Sequence, residues 1–153
     1  MQLSIDTSVE TDLEVLIPDS YVNVPSEKIR LYRELDNITT EKDLDIFAKR
    51  LQDRFGAPIP RQTEELMSIV SLRLKAATLG IERIVLKNSR MTAYFVADRN
   101  HPFFAGDTFM TILQKLSTLR QFQLEETSGK LHIRTQNINS VEDALKAINL
   151  FLV

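Results

Sequence analysis

Side chains able to do chemistry are sparse in this sequence. It has two histidines and no cysteine among its 153 residues. Neither His101 nor His132 has a partner at the H-x-x-x-H or H-E-x-x-H spacing that sets metal ligands on one helical face. His132 falls within a strand-like run and His101 precedes Pro102, so both read as structural or solvent-facing. Ser128-Gly129-Lys130-Leu131 carries the tail of a phosphate-loop pattern. The first glycine of that pattern is missing, no Ser or Thr follows Lys130, and strand-like runs flank it, so it reads as a hairpin turn. Neither G-x-G-x-x-G nor G-x-S-x-G occurs, and no nucleophile stands at local spacing from a base. No catalytic residue, cofactor site or metal site is expected.

Two polar features rise above this background. The first lies on the helix read over 41–55, where Lys42, Asp45, Lys49, Arg50 and Asp53 point away from the apolar stripe at 100° per residue. Asp45–Lys49 and Lys49–Asp53 are spaced i,i+4, worth tenths of a kcal/mol each. The face is either plain solvated helix or a charged docking surface whose charges set registry and selectivity. The second is Arg73, which falls inside the apolar arc of the next helix. Either its stem packs and its head reaches water, or it forms an ion pair with a helical carboxylate and holds the helices in register.

The elements that would position these residues follow from periodicity. Residues 1–11 are polar and expected to fray. Leu13, Val15 and Ile17 alternate before Pro18, a short strand within 12–21. Ser26 is placed to cap a helix over 27–38, with Ile29, Tyr32 and Leu35 as its apolar spacing. Thr40 and Asp43 form a short-armed capping box for a helix over 41–55, whose stripe is Leu44, Phe47, Ala48, Leu51 and Phe55. Gly56 is its C-cap, with Pro58 just beyond. Pro60 opens a third helix that runs to Leu79, with Leu66, Ile69, Val70, Leu74 and Ala77 facing the core.

The second half changes character. Runs at 81–87 and 91–97 flank Asn88-Ser89-Arg90, and runs at 122–126 and 131–135 flank residues 127–130, which makes two hairpins. Each is followed by a helix, at about 107–119 and after Ser140. The expected fold is α+β: an N-terminal strand and three-helix segment (12–80), then two ββα units (81–153). Their strands form a mostly antiparallel four-stranded sheet with helices on one face, in a single domain over 1–153.

Composition narrows the function classes. Hydrophobic residues make up 43% of the chain, enough for one sizeable core. Nineteen basic against twenty-one acidic residues, a formal charge of −2, argue against a surface built mainly to hold phosphate backbone. No apolar run nears the roughly 18 residues a membrane span needs, and the opening lacks the order of a signal peptide, so a soluble, cytoplasmic chain is expected.

Several ordered segments together are similar to a known family. Leu16-Ile17-Pro18-Asp19-Ser20-Tyr21 resembles the hPxxYh opening of the C-terminal domain of bacterial transcription-repair coupling factors. Arg30-Leu31-Tyr32-Arg33 looks like its RLxxYxR helix. Leu44, Leu51, Asp53-Arg54-Phe55-Gly56 and Pro60 are similar to L…ELxDRFGxxP, and Leu72-Arg73-Leu74-Lys75 with Leu79-Gly80-Ile81 to LRxxAxxLGI. Order and spacing hold across residues 12–86. One position departs: Arg50 stands where members often carry Glu.

The resemblance implies a non-catalytic regulatory domain of an ATP-driven DNA translocase. That translocase displaces stalled RNA polymerase and recruits the excision-repair protein UvrA. The domain's implied partner is the amino-terminal UvrA-binding module of the same protein, which it masks at rest. Two other readings stand beside it. One is a DNA-binding accessory domain using Arg30, Arg33, Lys49, Arg50, Arg54, Arg61 and Arg73, which nearby acids nearly cancel. The other is a small stand-alone enzyme, or a ligand-binding or protein-interaction α+β domain.

Overall fold

A computed structural model describes residues 5–152. The fold is α+β. Strand β1 (Ser8–Thr11) leads into helices α1 (Pro25–Asp36), α2 (Glu41–Phe55) and α3 (Arg61–Thr78). Then come β2 (Ile81–Lys87), β3 (Arg90–Phe95), a 3-10 turn at Pro102–Ala105 and α4 (Asp107–Leu116). The chain ends on β4 (Gln123–Thr127), β5 (Lys130–Gln136) and α5 (Val141–Asn149).

The two ββα units are present, and their hairpins lie side by side with β3 antiparallel to β5. The sheet has five strands in the order β1-β2-β3-β5-β4, one more than expected. The extra strand is β1, which pairs parallel with β2 from Ser8↔Arg83 to Thr11↔Leu86. Residues 8–11, expected to fray, are therefore sheet; residues 1–4 of that expected lead lie outside the described residues. Thr7 anchors the start of the strand, its hydroxyl donating to the Ile81 carbonyl at 2.6 Å.

The strand expected within 12–21 does not form. Its alternation is real, since Leu13, Val15 and Ile17 turn inward and Glu14 outward. What it lacks is a ladder. The Leu16 N–H donates to the Gln62 carbonyl at 3.3 Å, the Ile17 N–H to the Tyr32 hydroxyl at 2.8 Å, and the Thr63 hydroxyl to the Leu16 carbonyl at 2.9 Å. The segment is an extended strap whose polar groups are satisfied by helices rather than by a strand.

Helix ends follow local chemistry with one correction. Thr40 Oγ1 accepts from the Asp43 N–H and Ser140 Oγ from the Asp143 N–H, both at 3.0 Å. Ser26 is not a cap: α1 starts at Pro25, whose missing N–H and fixed φ suit a first helical position. Ile29 also differs from expectation. It is exposed, because Leu31 and Leu35 occupy the inward face.

Each hairpin turns on two residues with positive φ, Asn88 and Ser89 in one, Ser128 and Gly129 in the other. Arg90 and Lys130 thus belong to the strands.

The core has two parts. Leu35, Phe47, Leu51 and Val70 hold the three helices together. Leu72, Ala76, Ile84, Met91, Phe95, Ile133, Val141 and Ile148 fill the space between the sheet and helices α3 and α5. Helix α3 contributes to both, which explains why its buried residues do not follow the single arc expected. At its end Gly80, with φ +71, meets the ring of buried Phe103 so closely that a Cβ would collide with it.

Candidate functional site: the outer face of α2 and its groove with α1

Helix α2 is amphipathic because its apolar residues recur on one stripe, and Leu44, Phe47 and Leu51 are buried. That placement turns Lys42, Asp45, Lys49, Arg50 and Asp53 to solvent, as expected. The structure brings them onto one exposed face but does not close the expected Asp45–Lys49 and Lys49–Asp53 pairs. Arg50 instead pairs with Glu34 of α1, and neighbouring Arg54 pairs with Glu27, also of α1. Lys42, Asp45, Lys49 and Asp53 form no ion pair among the described residues.

The sequence reasoning passed over one residue at the centre of this face. Ile46 is 47% exposed, between Asp53 and Arg50 on the helical wheel, with Lys42 and Lys49 one turn before and after it. Its signal was present: an isoleucine two positions past Leu44, out of phase with the buried stripe. A lone apolar residue ringed by charges has the layout of a small interface centre with a polar rim.

Beside this face, α1 and α2 enclose a groove of about 430 Å³. Leu31, Phe47, Leu51 and Phe55 form its apolar floor, and Arg30, Arg50 and Arg54 stand at its rim with Glu34. The Arg54 guanidinium lies 5.2 Å from the Phe55 ring centre, and Phe55 packs against Tyr21 at 5.9 Å. The Tyr21 hydroxyl donates to the Gly56 carbonyl at 2.6 Å, and its partial burial pushes its pKa above the usual tyrosine range. Asp53-Arg54-Phe55-Gly56 therefore has divided duties. Arg54, Phe55 and Gly56 join α2 to α1 and to the strap, and Asp53 alone faces out.

Among the described residues Arg73 has no ion-pair partner, but its head is not free. Its Nη2 donates to the Ile38 carbonyl at 3.1 Å and, more weakly, to that of Leu35 at 3.5 Å. The expected carboxylate partner is replaced by carbonyls where α1 ends: that of Leu35, which also accepts from the Ile38 N–H at 3.3 Å, and that of Ile38 just beyond the helix. The carboxylate nearest in role, Glu41, accepts from Ser71 Oγ at 2.7 Å. Of the arginines named for a DNA contact, Arg30, Arg50 and Arg54 pair with Glu27 and Glu34 and Arg73 turns inward, while Arg33 and Arg61 are exposed.

The two histidines lie apart from this site. His101 Nδ1 accepts from the Phe103 N–H at 3.0 Å, which caps the 3-10 turn, and His132 is buried in β5. Among the described residues no group of His, Asp or Glu is placed to hold a metal ion, and no helix is long and apolar enough to cross a membrane.

Comparison with known proteins gives this architecture a family. The sequence model of the TRCF domain matches residues 11–105. The transcription-repair-coupling factor of Rickettsia prowazekii is 36% identical over 77 residues, which cover 50% of this chain and 7% of that protein. That of Escherichia coli is 30% identical over 98 residues, covering 64% of this chain and 8% of that protein. The chain thus spans under a tenth of the length of these relatives. A crystal structure of the C-terminal domain of transcription-repair coupling factor superposes with a TM-score of 0.78 at 18% identity, covering 97% of this chain and 91% of that one. That likeness shows the same fold, with an added strand relative to the four expected from sequence. The chain belongs to the TRCF domain family of transcription-repair coupling factors.

Proposed function

We propose that this chain is a regulatory docking module of a transcription-repair coupling factor, working in the cytoplasm by protein contact and not by catalysis. In the full-length protein, an ATP-driven DNA translocase that displaces stalled RNA polymerase and recruits UvrA, it would hold the amino-terminal UvrA-binding module in a masked state. A module of this kind acts by differential contact: it stabilises a closed arrangement and gives it up when the partner surface is needed.

One observation carries the reading. The outer face of α2 presents Ile46 among Lys42, Asp45, Lys49 and Asp53, side chains without ion-pair partners among the described residues. A charge that is unpaired at home needs no internal bond broken before it meets a partner. Arg50, paired to Glu34, stands at the margin of that surface.

The test is binding between this chain and the separately prepared amino-terminal module. Asp53→Lys, or Lys49→Glu with Arg50→Glu, should weaken binding by about tenfold, roughly 1.4 kcal/mol. Ile46→Ala should cost about as much if Ile46 is the contact centre. Binding that is insensitive to salt and to all of these changes would remove this face from the mechanism.

A further inference from the structure

The helices cover one side of the sheet. The core cluster contains the inward residues of β2, β3 and β5, together with residues of α3, α4 and α5. The opposite side of the sheet is open. Side chains of Glu10, Arg83, Glu125 and Arg134 on that side are 36–45% exposed, and they come from four of the five strands.

Register sets what this open side displays. Arg83 is opposite Tyr94, Tyr94 is opposite His132, and His132 is opposite Glu125, one row across β2, β3, β5 and β4. Three neighbours in that row are planar π groups. The Arg83 guanidinium lies 5.2 Å from the Tyr94 ring centre, and the Tyr94 and His132 rings are 5.2 Å apart. The adjacent row runs Val85, Thr92, Arg134 and Gln123. The buried Nε of Arg134 has no hydrogen-bond partner among the described residues.

Charge is distributed unevenly between this side and the rest of the chain. Strand alternation puts Lys87, Arg90 and Lys130 on it beside Arg83 and Arg134. The carboxylates facing them are Glu10 and Glu125. A surface with this cation excess sits in a chain whose formal charge is −2. Near-neutrality overall is an average that conceals it.

We propose that the open sheet face is a binding platform for single-stranded nucleic acid. An acidic peptide would use the cations but gain nothing from the planar row. A duplex would offer phosphates but keep its bases stacked inside. Only an unpaired strand supplies both phosphates for Arg90, Lys130 and Arg134 and a free base face for Tyr94. Glu125 and Gln123 border the rows with groups able to meet base edges. The inference is independent of the α2 docking reading, since the two surfaces share no residue.

Fluorescence polarisation of the 153-residue chain with labelled oligo-dT, oligo-rU and a duplex of equal length tests it. Either single strand should bind more tightly than the duplex, and the better of the two identifies the source. Affinity should fall with salt, with a logarithmic slope of about −0.7 per phosphate contacted. Tyr94→Leu should weaken binding about tenfold with the slope unchanged, and Tyr94→Phe should retain it. Arg90→Ala with Lys130→Ala should reduce the slope by about 1.4. Both of these residues are exposed, so that pair keeps the test meaningful if Tyr94→Leu disturbs the fold. No binding, equal or tighter binding of duplex, full competition by poly-glutamate at matched charge, or an unchanged slope in the double variant would each overturn the proposal.

Discussion

The outer face of α2 and the open face of the sheet are both charged surfaces, yet they are organised in opposite ways. On the sheet, the carboxylates are paired across strands, Glu10 with Arg83 at 3.0 Å and Glu125 with Arg134 at 2.8 Å, while the cations Arg90 and Lys130 beside the hairpin turns are exposed. The Glu10 pair ties β1, the added parallel strand, to β2. On α2, Lys42, Asp45, Lys49 and Asp53 have no such partners among the described residues, and Ile46 stands exposed among them. Paired surface charges are held in place by the fold at little net gain. Unpaired ones around an apolar residue leave their interaction energy available to another molecule. Carboxylates held by the fold amid a cation excess mark the sheet face, and mixed charges without pairing mark the helix face.

A substitution at the seam between the halves should affect both surfaces at once. Gly80→Ala puts a Cβ into the Phe103 ring at a positive φ. It should cost about 3 kcal/mol from overpacking and backbone strain together, read as a lowered denaturant midpoint. Phe47→Ala should cost a similar ~3 kcal/mol or more, because Phe47 is 2% exposed at the centre of the helical cluster. It also removes the floor of the α1–α2 groove. Binding through α2 should therefore fall while the hydrogen-exchange protection of β3 and β5 persists, which would separate the helical half from the sheet half. Protection lost equally in both halves would show that the two core clusters act as one.

Arg73→Met is a milder probe. It removes donors to the carbonyls of Ile38 and Leu35 and keeps the apolar stem. A loss of about 1–2 kcal/mol is expected, chiefly the cost of leaving the Ile38 carbonyl unsatisfied, since that of Leu35 keeps the Ile38 N–H. An unchanged melting temperature would mean that water replaces the guanidinium without penalty.

The helical half was legible in detail because its signals are local. Thr40 with Asp43 and the stripe from Leu44 to Phe55 fix α2 between the residues expected, and Gly56 follows it. The two hairpins were legible for the same reason, since Asn88-Ser89 and Ser128-Gly129 accept positive φ. What sequence could not show depends on distant partners. Strand β1 exists because β2, more than seventy positions later, offers an edge to Ser8–Thr11. The strap after it has better alternation and is no strand, because helices supply its hydrogen bonds. The same holds for the site: the charged face of α2 was visible from spacing, but the capture of Arg50 by Glu34 and of Arg73 by α1 carbonyls was not. Each was a question about which residue of another element stands opposite.

The smallest expected effect tests the claim that sheet-face charges are paired by the fold. The Arg83 guanidinium hydrogen-bonds Glu10 and holds its carboxyl below the usual glutamate range, with Lys87 adding to the effect. A depressed folded-state pKa means the contribution to stability is fully present above the unfolded value. It is lost as pH falls through the folded value, so the window is the acid range at and below the ordinary glutamate pKa. Glu10 is solvent-exposed, so the change in stability should be small and screened by salt. The site-specific readout is an NMR titration of the Glu10 carboxyl. In the native protein its midpoint should lie below the ordinary glutamate value, and Arg83→Gln should move it back up. A Glu10 midpoint unaffected by Arg83→Gln would mean the two side chains are independent in solution. The contrast between a sheet face ordered by its own charges and a helix face left free for a partner would then fail on the sheet side.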